Sequence, residues 1–173
     1  GDTFTTGSAS NYTSAVTCSG AADTDLADGL TVDAADVAIV CTYTNTRKSA
    51  TLTLAKTWAN AVVNDTSALS TTGLINDASL NSTADTANET DTGTGVTVYS
   101  GETATISETM GGGNSGTYNS SLAGANATDT DLAGNQLTIA PADSGQTITC
   151  TYSNARILPP AISKSFSPNP IAA

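Results

Sequence analysis

The stretch 49-SATLTLAKTW-58 decides the fold. Leu52, Leu54 and Trp58 fall on one face and Thr51, Thr53, Ala55 and Thr57 on the other, which is the period of two of a β-strand. Lys56 falls on the apolar face. The chain has only five basic residues, Arg47, Lys48, Lys56, Arg156 and Lys164, and a lysine aimed at the core demands a partner, because an isolated buried charge loses its hydration without replacement.

The same alternation recurs at 96-VTVY-99, 102-ETATISETM-110, 117-TYNSSL-122, 136-QLTIA-140 and 146-QTITCTY-152. Turn residues separate these runs at Ser100-Gly101, Gly111-Gly112-Gly113, Gly134-Asn135 and Ser144-Gly145. No window carries a helical period. The pattern predicts an all-β sandwich of antiparallel strands. Residues 76–95, NDASLNSTADTANETDTGTG, hold almost no apolar side chains and read as a long exposed loop.

Comparison of the chain with itself divides it into units. The segment 12-YTSAVTCSGAADTDLADGLTV-32 matches 118-YNSSLAGANATDTDLAGNQLTI-139, and 39-IVCTYTNTR-47 matches 148-ITCTYSNAR-156. The repeat is about a hundred residues, the size of one sandwich domain. Residues 1–46 read as the C-terminal half of a unit and 47–156 as a complete unit. Residues 157–173 read as a Pro-Pro linker and the first strand of a following or partner domain. Gly1 opens the chain with no leader, so the sequence reads as a mature or excised piece.

Composition excludes whole function classes. A net charge of −11 leaves no basic footprint for a phosphate backbone, so nucleic acid is not an expected partner. No run of about 18 apolar residues is present for a membrane span. With no His, no Gly-rich phosphate loop and no metal-ligand cluster, the chain reads as neither an enzyme on an external substrate nor a cofactor or metal carrier. Cys18 and Cys41 lie in one strand-rich segment, placed to staple two strands as in secreted β-domains, with two reduced buried thiols as the alternative. Cys150 is left over and reads as buried. Asp23, Asp25 and Asp28, and Asp129 with Asp131, suit turn chemistry better than calcium, since their spacing lacks the ligand ladder of an EF-hand loop. Sequons at Asn11, Asn64, Asn81, Asn88, Asn119 and Asn126 are what a chain rich in Asn, Ser and Thr produces by composition.

The alternation carries two more polar side chains inward. In 104-ATISETM-110, Glu108 shares a face with Ala104, Ile106 and Met110. In the last strand Asn154 shares one with Ile148, Cys150 and Tyr152. Burial favours the neutral forms of Lys56 and Glu108, leaving an unprotonated amine beside a carboxylic acid. With Glu108 polarising the Asn154 amide and shuttling protons, attack by Lys56 would expel ammonia and leave an isopeptide cross-link. Bland alternatives exist for each residue: a lysine whose stem packs on Trp58 while its ammonium reaches water, a rim carboxylate, and a strand-end asparagine.

At these residues the chain resembles the Cna-B, or transthyretin-like (prealbumin-like), repeats of bacterial surface adhesins and pilins. The resemblance covers 47–156, with 1–46 as part of a preceding copy. It rests on a first strand ending KTW, a mid-domain strand ending in a glutamate, and a last strand TYTNT or TYSNA. It implies a reversed, Ig-like antiparallel β-sandwich serving as an extracellular stalk module, with Lys56 as amine, Asn154 as acceptor and Glu108 as catalytic acid. In the partial copy Asn45 matches Asn154, with Thr6 near the glutamate position. The tail 161-AISKSFSPNP-170 resembles the first strand of another surface-protein repeat class, and Lys164 follows Asn154 much as Lys56 follows Asn45. Head-to-tail strand exchange, with Lys164 meeting Asn45 of a neighbour, is therefore an expectation, as is a tandem arrangement of covalent neighbours. The expected partners are other copies or adjacent repeats, at a bacterial cell surface. The competing function is an adhesive module that binds a ligand through 76–95.

Overall fold

The computed structural model describes residues 2–160 and 162–164. Among them are eleven strands and no α-helix. In chain order the strands are β1 (Tyr12–Ser19), β2 (Val40–Arg47), β3 (Ser49–Ala59), β4 (Thr66–Thr72), β5 (Ser79–Thr83), β6 (Glu89–Thr92), β7 (Val96–Tyr99), β8 (Thr103–Met110), β9 (Tyr118–Ala125), β10 (Gln136–Thr138) and β11 (Thr147–Arg156). Every run read as a strand from its alternation is one.

The strands form a two-stranded sheet of β1 and β2, a four-stranded sheet in the order β10-β8-β4-β5, and a five-stranded sheet in the order β6-β3-β11-β9 with β7 also on β3. The apolar faces of the two larger sheets meet in one core, consistent with a β-sandwich. Leu52, Leu54, Ile148 and Cys150 come from one sheet, and Leu69, Ala104, Ile106 and Leu137 from the other. Burying these side chains is the main favourable term for a chain with so few aromatics. Most pairings are antiparallel. The pair β3 and β11 is parallel, with Lys56 opposite Tyr152 and Trp58 opposite Asn154, so the first and last strands of the complete unit run side by side.

Residues 76–95 are not a loop. They contribute β5, which pairs with β4, and β6, which pairs with β3. Their alternation is hidden because an inward position is a serine: Ser82 is buried, accepts the Trp58 indole N–H at 2.7 Å and donates to Asp91 at 2.6 Å. Strand β4 is disguised in the same way, since its inward residues are Ser67, Leu69 and Thr71.

The internal repeat is also a structural one. Cys18 faces Cys41 across β1 and β2, and the two form a disulfide. At the matching register of β9 and β11, Gly124 faces Cys150. A Cβ added at Gly124 would stand 3.3 Å from Leu132 Cδ1, so leucine packing fills the place that a staple takes in the partial copy. Cys150 is buried, and desolvation, with help from the Asp129 charge, pushes its thiol up to about 11. That keeps it protonated and unreactive. The DTD carboxylates serve turns: Asp23 accepts the backbone N–H of Asp25 and of Thr31, and Asp129 that of Thr138.

Ile106 is fully buried where the sheets meet. Ile106→Ala should lower unfolding free energy by about 2–5 kcal/mol, the cost of a core cavity at a large aliphatic residue. Urea denaturation reads this as a lower midpoint at unchanged slope.

Candidate functional site

Strand β3 is central, flanked by β11 on one side and by β6 and β7 on the other, so neighbours cover both of its edges. Lys56 is 0% exposed and Asn154 is 1% exposed. They lie on one face of neighbouring strands, two positions apart along the parallel register. Glu108 arrives from the opposite sheet on β8. The structure thus brings Lys56, Glu108 and Asn154 together.

The carboxyl is the hub. Its Oε1 accepts from Lys56 Nζ at 2.6 Å, from Ser67 Oγ at 2.8 Å and from Asn154 Nδ2 at 2.9 Å. Its Oε2 meets Ser120 Oγ, which also touches Asn154 Oδ1. The Lys56 nitrogen lies 4.3 Å from the Trp58 ring centroid, and Asn154 Nδ2 also reaches Met110 Sδ at 2.9 Å. Among the described residues no buried side-chain polar atom lacks a hydrogen bond. The lysine does not reach out to water as a rim residue would.

Desolvation pushes the Lys56 ammonium below the ordinary lysine range, against the raising effect of the Glu108 hydrogen bond and charge. A raised Glu108 carboxyl, expected from burial, is not what the site produces. Burial pushes it up, but hydrogen bonds from Lys56, Ser120 and Ser67 and the Lys56 charge outweigh this and hold it below the ordinary glutamate range. The two directions favour opposite states of the pair. The lysine's direction prevails, because it has no exposed surface and one carboxyl partner to offset its lost hydration. A single proton moving along the 2.6 Å contact interconverts the charged pair and the amine–acid pair.

Ser67 and Ser120 were not singled out from sequence. Both sit at inward positions by alternation, Ser67 with Leu69 and Thr71, Ser120 with Tyr118 and Leu122. The repeat also marked Ser120, since Ser14 occupies its place. In the partial copy Ser14 Oγ donates to Asn45 Oδ1, and Asn45 Nδ2 donates to Asp2 Oδ2 at 2.6 Å. Asp2 therefore holds the glutamate position and Thr6 does not. Asp2 precedes Tyr12 by the same ten residues that separate Glu108 from Tyr118. Ser14 and Asp2 are the Asn45 partners among the described residues. Residues 162–164 form no strand, and 161 and 165–173, the rest of the expected tail strand, lie outside the described residues.

The link from β8 to β9 sets Glu108 relative to Ser120, and buried Asp65 anchors it. Its carboxylate accepts the N–H of Ser115 at 2.8 Å, the N–H of Gly116 at 2.9 Å and the Tyr118 hydroxyl at 2.6 Å. Asn114 ties the same link to the backbone of Thr66, next to Ser67.

No family model, curated protein or solved structure matches the chain. No helix among the described residues is long and apolar enough to cross a membrane.

Burial raises the Asp65 carboxyl, but the Tyr118 hydroxyl, the Ser115 and Gly116 amides and the Arg156 charge outweigh it and hold the group below the ordinary aspartate range. A folded value below the unfolded one stabilises the fold above the unfolded pKa, and the contribution is lost as pH falls through the folded value. Asp65→Asn should therefore lower the urea midpoint at neutral pH. It should also flatten the decline of that midpoint on acidification, as a pH series of denaturation curves would read.

Proposed function

We propose that residues 47–156 are a structural module of an extracellular stalk, pilus or filament, closed by an autocatalytic isopeptide bond between Lys56 and Asn154. One observation carries this reading: Glu108 Oε1 touches both the amine that would attack and the amide nitrogen that would leave. As Lys56 Nζ bonds to Asn154 Cγ, the carboxyl can take a proton from Nζ and hand it to Nδ2, after which the Cγ–Nδ2 bond breaks and ammonia leaves. No external substrate or cofactor is needed. The packed core holds the reactants, and oriented intramolecular reactions reach effective molarities of about 10⁵ to 10⁸ M. A cleft of ≈ 440 Å³ lined in part by Ser67, Ser82 and Met110 adjoins the site and offers ammonia a way to water.

The topology gives the bond a purpose. The chain enters the unit along β3 and leaves along β11, two parallel neighbours. A pull on the two ends shears that pair, and a bond from Lys56 to Asn154 carries the load before the rest of the unit feels it. This suits the reversed Ig-like, Cna-B-like class and the division into 1–46, 47–156 and 157–173. The Cys18–Cys41 disulfide and an acidic surface rich in Ser and Thr suit an oxidising extracellular setting. Partners are then other copies or tandem neighbours, with Lys164 and Asn45 as a candidate link between units. The adhesive alternative loses its basis in 76–95, whose residues are engaged in two strand pairings.

Intact mass tests the bond. Folded protein should weigh one ammonia less than its sequence, Lys56→Ala should show no loss, and Glu108→Ala should fold yet link slowly or not at all. An unmodified mass from folded wild-type protein would sink the reading. Closing a loop of about a hundred residues is worth about 4–5 kcal/mol in the chain-entropy model, so linked protein should unfold at markedly higher denaturant than unlinked protein of the same sequence.

A further inference from the structure

Three oxygens stand in a row at the acceptor end of the site. Ser120 Oγ lies within hydrogen-bond reach of Glu108 Oε2 on one side and of Asn154 Oδ1 on the other. A hydroxyl carries one hydrogen and an amide oxygen carries none. Both contacts are hydrogen bonds only if Glu108 brings the second proton. The row then reads Oε2–H to Oγ and Oγ–H to Oδ1. It is a path from the acid to the oxygen on which charge develops when the amine attacks.

Resting on the cross-linking reading above, we propose that the Ser120 hydroxyl is a catalytic group of that reaction, relaying the Glu108 Oε2 proton to Asn154 Oδ1 and returning it when the intermediate collapses. The two carboxyl oxygens then divide the work. As neutral Lys56 Nζ bonds to Asn154 Cγ, the carbonyl π pair moves onto Oδ1. Oδ1 takes the Ser120 proton while Ser120 takes the Oε2 proton. The attacking nitrogen, now cationic, gives a proton to Oε1 along the 2.6 Å contact. Oε1 passes it to Nδ2, 2.9 Å away. The Cγ–Nδ2 bond breaks, ammonia leaves, and the Oδ1 proton returns through Ser120 to Oε2. One N–C bond forms, one breaks, and Glu108 and Ser120 end as they began.

The partial copy supplies an independent instance. Ser14 faces Asn45 across β1 and β2 as Ser120 faces Asn154 across β9 and β11. Ser14 also touches Asn45 Oδ1, with the Asp2 carboxylate on the amide nitrogen. On the same face of the two strands Tyr12 matches Tyr118, while Val16 stands against Leu122 and Cys18 against Gly124. In both copies the serine sits on the oxygen of the acceptor amide. Packing does not require it, since β9 is an edge strand and Ser120 is exposed as a residue.

The test is a rate. Full-length chain made by cell-free synthesis is sampled over time, and loss of ammonia is followed by intact mass for wild type, Ser120→Ala, Ser120→Thr and Ser120→Val. Removing a proton-relaying or oxyanion donor should slow linking by about 10²- to 10³-fold. Ala and Val should therefore lag by that factor, while Thr, which keeps the hydroxyl and matches Val in shape, should stay close to wild type. The Thr and Val pair decides the matter even if Ala folds poorly. If wild type links and Val keeps pace with Thr, the relay is wrong and the cross-link stands. If wild type never loses ammonia, both fall.

Discussion

The contact between Lys56 and Glu108 is the constraint around which the complete unit is organised. An amine with no exposed surface has exchanged its hydration for one carboxyl at 2.6 Å and the face of Trp58. Breaking a buried pair of this kind by removing one partner is far more costly than never building it. The pair therefore dictates how the sheets face each other. A one-residue slip of β3 or β8 would turn Lys56 or Glu108 outward and strand the other, because side chains alternate between faces. The remaining polar groups follow from that choice. Ser67, Ser120 and Asn154 each bring a hydrogen-bonding atom to the carboxyl, so every element around the site is held by its charge or its proton.

The two copies show one hydrogen-bonded trio on two different supports. Carboxylate, serine and asparagine recur as Asp2, Ser14 and Asn45 and as Glu108, Ser120 and Asn154. The mechanical support differs. The partial copy ties its strand pair with Cys18–Cys41, whereas the complete unit packs Leu132 against Gly124 and leaves Cys150 as a buried thiol. A disulfide holds neighbouring antiparallel strands. A bond from Lys56 to Asn154 would hold the first strand to the last, which local packing alone cannot do under tension.

The polar loops do structural work of the same kind on a smaller scale. Asp65 holds the link into β9, and Asp143 does likewise further on, accepting from the N–H and hydroxyl of Thr128 and from the N–H of Ala140. A chain with few charged residues uses its carboxylates as receivers of backbone N–H groups more than as partners of cations. Lys56 with Glu108 and Arg47 with Glu102 are side-chain ion pairs among the described residues.

Alternation by itself determined that β3, β8 and β11 are strands and that Lys56, Glu108 and Asn154 point inward, because side-chain direction in a strand depends only on position modulo two. The repeat showed that β1 matches β9 and β2 matches β11, and the Cys18–Cys41 staple was legible as well. Strands β4, β5 and β6 were hidden in sequence, since Ser67, Thr71 and Ser82 bury hydroxyls satisfied only by partners on other strands. The parallel pairing of β3 with β11 and the gathering of four groups on one carboxyl were decided by tertiary structure. Each depends on distances between residues that lie 12 or more positions apart in sequence, and only the fold delivers those groups to the same two oxygens.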